Sequence, residues 1–236
     1  MASHGMTRHI RRLAAPRALP ISHKGSMYLR KPTAGRHSKE YAMSMLLVLR
    51  DVLHLVCDKR EAKMVLGRGD VLVDGVVVKD DGFPLGLMDV IAIPKAAAYY
   101  RVVLNEGKLK LVSIKAEETK VKLCKISDKR LVRGGRIQLC MHDGRTHIME
   151  REEDRFKVGD TVKLSIPKQQ LQGALKLEKN ARCYVYKGRH SGEVGVLEEI
   201  KVRPGSKASD AFLKATSGTV ITRKDYLFVV PEEFKV

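Results

Sequence analysis

The sequence predicts an α+β, multi-module chain: a basic extended N-terminal segment, a small helix-helix-hairpin module, and then two small mainly antiparallel β barrels. Three observations predict this organisation. The first 39 residues contain many basic side chains and no acidic one. Helix and hairpin signals are concentrated between Asp58 and Ile93. From Tyr99 onward, short apolar runs alternate with turn residues, which is typical of antiparallel strands.

Residues 1–41 form the predicted basic segment. Prolines and glycines punctuate it and its like charges repel, so it is expected to be extended when free and to become ordered on phosphates. Its candidate phosphate-binding residues are Arg8, Arg11, Arg12, Arg17, Lys24, Arg30, Lys31 and Arg36. A transit peptide and a functionless tail remain alternatives, although the prolines would break the amphipathic helix of a transit peptide.

Two short helices are predicted in residues 42–98. Asp58 and Glu61 have the spacing of a capping box, so a helix is expected to begin near Lys59. Its apolar face should pack on an earlier helix that carries an apolar stripe; the two sets are Ala62, Val65 and Leu66, and Leu46, Leu49, Leu53 and Val56. The basic residues left outside this core are Arg50, Lys59, Arg60, Lys63, Arg68 and Lys79, and either solvation or phosphate binding would explain them.

A tight hairpin follows the second helix. Gly67 and Gly69 are suited to ending that helix, and Asp74-Gly75 is suited to a type I′ turn between two valine-rich strands. A third strand is expected from Met88 to Ile93.

Two β modules are predicted after the hairpin, over residues 99–172 and 173–236. In the first, Asn105-Glu106-Gly107 should join two strands, and the near-alternation from Lys120 to Ile126 predicts a strand with one wet face. In the second, a basic glycine-spaced loop runs from Lys187 to Gly195. The candidate binding residues of this loop are Lys187, Gly188, Arg189 and His190, although a structural glycine turn explains the loop about as well.

Several of these stretches resemble known families. Lys59-Arg60-Glu61-Ala62-Lys63 followed by Gly69 to Gly75 is similar to the small RNA-binding module named after bacterial ribosomal protein S4. The longer run from Asp74 to Ile91 resembles the archaeal and eukaryotic small-subunit ribosomal family "S4, e-type", and Arg8 to Pro16 resembles its start. The loop from Lys187 to Gly195 resembles a KOW motif. These resemblances imply that the basic tail, the second helix and the glycine loop bind ribosomal RNA.

Composition narrows the classes of function. Lys and Arg number 45 against 27 acidic residues, and the net charge of +18 favours a polyanionic partner. The most apolar stretch, Met43 to Val56, is too short and too charged to span a membrane. The four cysteines include no Cys-x-x-Cys pair, so they predict free thiols rather than a zinc ribbon.

Catalytic patterns are weak. His142, Asp143 and His147 lack a third ligand with metal-site spacing, and Gly192 is followed by Glu193 where a phosphate loop needs lysine. The acidic run Glu150, Glu152, Glu153 and Asp154 is typical of a solvated loop. Together with these weak catalytic patterns, the resemblance to the "S4, e-type" family implies a cytoplasmic, non-catalytic constituent of the small ribosomal subunit. Its expected partners are small-subunit ribosomal RNA and neighbouring ribosomal proteins, with no cofactor, metal, membrane or small-molecule substrate.

Two other functions remain open at this stage. A free-standing regulator, such as a transcription-elongation or RNA-chaperone factor, would also carry the glycine-loop motif. An RNA-modifying enzyme ranks third, since modules like residues 58–93 occur beside catalytic domains for which this chain has no room.

Overall fold

The computed structural model describes residues 7–22, 24–151, 154–204, 208–215 and 218–234. The chain divides into two compact units: unit 1 comprises residues 1–102 and 108–119, and unit 2 comprises residues 103–107 and 120–236. Most of the regular structure is β-strand in several small sheets, with few helices, as the α+β prediction requires at its coarse level. None of the helices in the described ranges has the length and apolar character of a membrane span. Glu152 and Glu153 of the acidic run lie outside the described residues.

In its described residues unit 1 contains two α-helices and nine strands, and the last residues of β8 are assigned to unit 2. The elements are β1 His9–Arg11, β2 Tyr28–Arg30, β3 Met43–Ser44, α1 Met45–Leu47, α2 Lys59–Arg68, β4 Leu72–Val73, β5 Val76–Val77, β6 Pro84–Leu85, β7 Val90–Ile93, β8 Ala98–Asn105 and β9 Lys108–Ser113. They form the pairs β1-β2 and β3-β6 and a five-stranded sheet of order β5-β4-β7-β8-β9.

The described residues of the N-terminal segment, 7–22 and 24–41, pack on the rest of unit 1, which corrects the prediction that the segment is extended when it has no binding partner. β1 pairs with β2, and Leu29 is buried. Two arginines of the segment are neutralised by aspartates from later in the sequence: Arg30 lies 2.8 Å from Asp81, and Arg36 lies 2.8 Å from Asp74. These carboxylates are far away in sequence, so the acid-free composition of the segment gave no sign of them.

A further contact fixes the end of this segment. His37 Nε2 lies 2.8 Å from Asp89 Oδ2, which also accepts the N–H of Gly86 at 2.9 Å. A Cβ atom on Gly86 would lie only 2.3 Å from the His37 ring, so only glycine leaves room for the imidazole there. The segment is therefore packed by side-chain shape as well as by charge.

Helix α2 begins after Asp58 as predicted, but the capping box is wrong in part. Asp58 occupies the N-cap position without a side-chain capping bond, whereas Glu61 Oε2 accepts the N–H of Cys57 at 2.8 Å. At the other end Gly69 has φ 78°, a left-handed conformation that closes the helix as predicted. The earlier predicted helix is shorter than its stripe suggests, because α1 continues only as a π-helix, Val48–Val52.

The predicted type I′ hairpin is confirmed. Asp74 and Gly75 have φ values of 50° and 73°, and β4 pairs with β5 on either side of them. Asp74 has a second role that the turn rule did not indicate. Its carboxylate is buried, accepts the N–H of Val90 at 3.1 Å and pairs with Arg36, so the turn also holds the N-terminal segment.

The boundary predicted between residues 98 and 99 falls inside a sheet. β8 pairs antiparallel with β7 of the preceding module, from Val90 opposite Arg101 to Ile93 opposite Ala98. β8 and β9 flank the predicted loop, in which Glu106 and Gly107 both have positive φ. The two strands of the hairpin therefore continue the five-stranded sheet of order β5-β4-β7-β8-β9, while residues 103–107 are assigned to unit 2.

The described residues of unit 2 form two five-stranded sheets whose neighbouring strands are antiparallel. The first has the order β12-β11-β10-β13-β14 and the second the order β18-β17-β16-β15-β19. Their strands are β10 Val121–Leu131, β11 Ile137–Met141, β12 Thr146–Met149, β13 Thr161–Ser165, β14 Leu171–Leu175, β15 Arg182–Val185, β16 Val194–Lys201, β17 Asp210–Ala215, β18 Gly218–Arg223 and β19 Leu227–Val229. Each sheet encloses its own apolar cluster, centred on Leu139 and Val162 in the first and on Leu197 and Leu213 in the second.

Candidate nucleic-acid interface

Helix α2 presents a cationic face to solvent. Lys59, Arg60 and Lys63 are exposed, while Ala62 and Leu66 are fully buried on the opposite side. Residues three and four apart lie on one side of a helix, so the three cations are neighbours. The apolar spacing that anchors the helix thus also orients its charges outward.

The cations around α2 differ in whether the protein already neutralises them. Lys59 lies 3.5 Å from Asp81. Within the described ranges no carboxylate pairs with the other exposed cations near the hairpin, which are Arg60, Lys63, Arg68 and Lys79. Arg50 forms two hydrogen bonds with Asp51, and these raise the pKa of its guanidinium. A cation without a carboxylate partner gains more binding free energy from a phosphate than a paired one, because the new contact replaces no internal ion pair.

The basic residues of the N-terminal segment fall into two sets. Arg30 and Arg36 are held by aspartates, with side chains only 9% and 29% exposed, and Arg12 donates to the carbonyl oxygens of Ser22 and Ser26. The exposed set consists of Arg8, Arg11, Arg17 and Lys24, and Lys31 is half-buried. The first set holds the segment in its fold, whereas no carboxylate within the described residues pairs with the second set, so it can contact an anion.

The glycine-spaced loop connects β15 to β16 in unit 2. Gly188 and Gly192 have φ values of 91° and 103°, so both need a conformation that favours glycine. A Cβ atom on Gly192 would lie 2.7 Å from Asn105 Oδ1, which gives this glycine a packing reason. Part of the loop pattern therefore has the structural explanation that the sequence left open.

The side chains of this loop are unequally available. His190 Nδ1 lies 3.1 Å from Glu193 Oε1, so its ring already has an internal partner. Arg189 is exposed and has no carboxylate partner in the part of the chain that the structure describes, while Lys187 is half-buried. Arg189 is the loop cation best placed to reach a phosphate.

The burial of side chains on β10 contradicts one sequence prediction, and their contacts include charged residues that the sequence did not indicate. The alternation from Lys120 to Ile126 predicted a wet face, yet Lys122 and Lys125 are 0% and 6% exposed. Lys122 Nζ and Arg145 Nε each lie 3.1 Å from Asp143 Oδ2. Period-two patterns do not reveal such burial, because the compensating carboxylate comes from the turn after β11.

Three potential metal ligands, one of them Asp143, lie close together beside β10. Cys124, His142 and Asp143 offer ligand atoms within 4.8 Å of one another. The Asp143 carboxylate, however, is already neutralised by the side chains of Lys122 and Arg145. A cation would have to displace both, so the arrangement fits a buried ion cluster better than a metal centre.

Comparison with known proteins places these features in a family. The model of the ribosomal family S4e matches residues 96–171. The small ribosomal subunit protein eS4 of Methanothermobacter thermautotrophicus is 38% identical over 238 residues, covering 100% of this chain and 97% of that protein. The eS4 protein of Methanococcus aeolicus is 41% identical over 99% of this chain and 98% of its own length.

A solved structure agrees with these sequence relatives. The crystal structure of the 30S ribosomal protein S4e from Thermoplasma acidophilum is similar to this chain with a TM-score of 0.69 and 34% identity. The similarity covers 82% of this chain and 96% of that one. On this evidence the chain belongs to the ribosomal S4e family.

Proposed function

We propose that this protein is a structural constituent of the small ribosomal subunit, where it binds ribosomal RNA without catalysis and supports subunit assembly and translation. The observation that carries the proposal is the near-full-length similarity to archaeal proteins named as small ribosomal subunit protein eS4. The net charge of +18 supports it, since RNA binding depends on neutralising phosphates. The expected location is the cytoplasmic ribosome, and the expected partners are small-subunit ribosomal RNA and adjacent ribosomal proteins.

The proposed RNA-binding residues follow from exposure and charge. The strongest candidates are cations with no internal carboxylate, led by Arg60, Lys63 and Arg189. The whole proposed set is Arg8, Arg11, Arg12, Arg17, Lys24, Arg30, Lys31, Arg36, Arg50, Lys59, Arg60, Lys63, Arg68, Lys79, Lys187, Gly188, Arg189 and His190. Within this set Arg30 and Arg36 act by holding the N-terminal backbone in place rather than by supplying free charge.

We also propose two finer assignments. Residues 42–98 form an S4-type RNA-binding module, supported by the order of helix α2, tight hairpin and third strand. Residues 173–236 form a KOW-type β-barrel module, supported by the basic loop between β15 and β16. The intervening residues 99–172 act as a central β domain, although its first hairpin belongs to the sheet of unit 1.

Cofractionation tests the proposed function. The protein should stay with small subunits, in stoichiometric amount, through sucrose-gradient sedimentation in a high-salt wash. Structural constituents bury many charge contacts within folded RNA, whereas factors that bind at the surface dissociate as salt screens them. Release of the protein into the top fractions, with subunits intact, would instead favour the free-standing RNA-binding regulator.

A further inference from the structure

A cavity lies within unit 2, between its two sheets. Its volume is about 220 Å³, and its walls include Lys125 and His142 from the first sheet and Tyr186, Lys224 and Asp225 from the second. One water occupies about 30 Å³ in the liquid, so the space has room for a phosphate group with several waters. None of the lining residues belongs to the predicted RNA-binding set.

Lys125 forms the floor of this cavity. Its Nζ donates to the main-chain carbonyl of Asp225 at 2.5 Å and lies 5.2 Å from the centre of the Tyr186 ring. The Tyr186 hydroxyl donates to the same carbonyl at 3.0 Å. These contacts orient the ammonium group but leave its charge without a direct carboxylate bond among the described residues.

The charges around Lys125 are unbalanced. Burial is the main cause that lowers the pKa of Lys125 to about 8; Lys224 and Lys187 contribute to this lowering, while Asp225 opposes it. Cys183 is also close, but burial raises the pKa of its thiol to about 12, so it is neutral near pH 7. His142 faces the strand through Nδ1, which accepts the N–H of Lys125 at 3.2 Å. Among the residues that line the cavity, Lys125 and Lys224 carry ammonium groups, and Asp225 carries the carboxylate.

We propose that this cavity is a binding site for the phosphate group of a nucleotide, with Lys125 and Lys224 contacting the phosphate from opposite sheets. Lysines bind phosphate as point charges, and two that approach from different directions suit an anion with oxygens on several sides. The phosphate comes from RNA or from a free nucleotide. In the RNA case the inference rests on the proposed function.

Titration of lysine side chains by NMR tests the proposal on the full-length protein, freed of nucleic acid and labelled with ¹³C at lysine Cε. A bound phosphate anion favours the charged ammonium, so the pKa of Lys125 should rise by at least about one unit when ligand is present. Three probes are used: inorganic phosphate, adenosine monophosphate and a short single-stranded RNA. A rise with the first two alone identifies a free nucleotide, and a rise with RNA alone identifies the polymer; either supports the proposal.

Variants make the result specific. Lys125→Met should abolish the ligand-dependent change in the pKa of Lys224. If Lys125→Met does not fold, Lys224→Gln provides the test, because Lys224 is only half-buried; this variant should weaken binding by about 5-fold or more. Lys163→Met, on β13 of the same sheet but outside the cavity, is the matched control and should leave binding unchanged. The proposal is overturned if none of the three probes moves the Lys125 pKa, or if Lys163→Met weakens binding as much as Lys224→Gln.

This test is independent of the proposed ribosomal function. Binding of free phosphate by a protein that does not sediment with small subunits would keep the cavity site and reject the ribosomal role. Sedimentation with small subunits, together with no response of Lys125 to any probe, would do the reverse.

Discussion

Replacing Arg60 and Lys63 together with glutamine is expected to weaken binding to small-subunit ribosomal RNA roughly 10- to 50-fold near physiological salt, since each lost phosphate contact removes a counterion-release term. Both side chains are exposed on α2 and lack a carboxylate partner within the described ranges. Glutamine keeps the helix propensity, so the fold should be preserved. The measurement is the dependence of the binding constant on salt, whose log-log slope should fall by about 1.4 to 1.8.

A charge-matched control separates position from net charge. Lys108 and Lys110 are exposed on β9 of the same unit, and their replacement with glutamine removes the same two charges. If α2 is the interface, this control variant should lose much less affinity for ribosomal RNA, and the log-log slope of its binding constant against salt should stay unchanged. Equal losses in the two double variants would mean that RNA senses only the total charge.

Replacing Asp143 with leucine is expected to destabilise unit 2 by about 3–5 kcal/mol, because it leaves a buried charge without its partner. Lys122 and Asp143 have 0% exposed side chains and lie 3.1 Å apart. Adding Lys122→Met should recover part of the loss, since it removes the fully buried cation and leaves only Arg145, whose side chain is 10% exposed. Urea unfolding of the wild type, the single variant and the double variant provides the measurement.

The control for this experiment is an exposed pair. Asp128 lies 2.7 Å from Arg130 on the same strand, and such surface pairs contribute little, so Asp128→Asn should leave the free energy of unfolding nearly unchanged. If Asp143→Leu were as mild as Asp128→Asn, the buried cluster would have no stabilising role.

The same cluster predicts a dependence on acid. Burial alone would raise the pKa of Asp143, but the charges of Lys122, His142 and Arg145 outweigh it and lower the pKa below its usual value. A carboxyl whose folded pKa is depressed stabilises the protein above its unfolded pKa of about 3.9 and loses that contribution as the pH falls through the folded value. Wild-type protein should therefore lose more stability below about pH 4 than the Asp143→Leu, Lys122→Met double variant.

Local rules predicted the parts of unit 1 whose causes are local. The Asp74-Gly75 turn follows from backbone conformations that few residues adopt, and the end of α2 follows from Gly69. The outward cations of α2 follow from helix periodicity alone. These elements include the strongest part of the candidate interface, so much of it was available from sequence.

The rest depends on partners that are distant along the chain. Nothing near Arg30 indicates that Asp81 will neutralise it, and nothing in β10 indicates that Asp143 will allow Lys122 to be buried. The cavity beside Lys125 likewise needs Lys224, about a hundred residues later. Charge patterning identifies where cations occur, but only tertiary pairing decides which of them remain free.

The internal ion pairs affect how the N-terminal segment would bind RNA. A segment that is extended when free loses conformational entropy when it binds, whereas a packed segment has already lost that entropy on folding. Because Arg30 and Arg36 hold this segment on unit 1, the exposed Arg8, Arg11 and Arg17 are presented on a preformed support. Preorganisation of this kind increases affinity without adding contacts.

Crosslinking of intact small subunits, followed by mass spectrometric mapping of nucleotides onto peptides, tests the central claim most directly. The account predicts ribosomal RNA nucleotides attached to the α2 peptide that contains Arg60 and Lys63, and to the loop peptide that contains Arg189. Crosslinks of these two peptides to other proteins only, with RNA attached elsewhere on the chain, would contradict it.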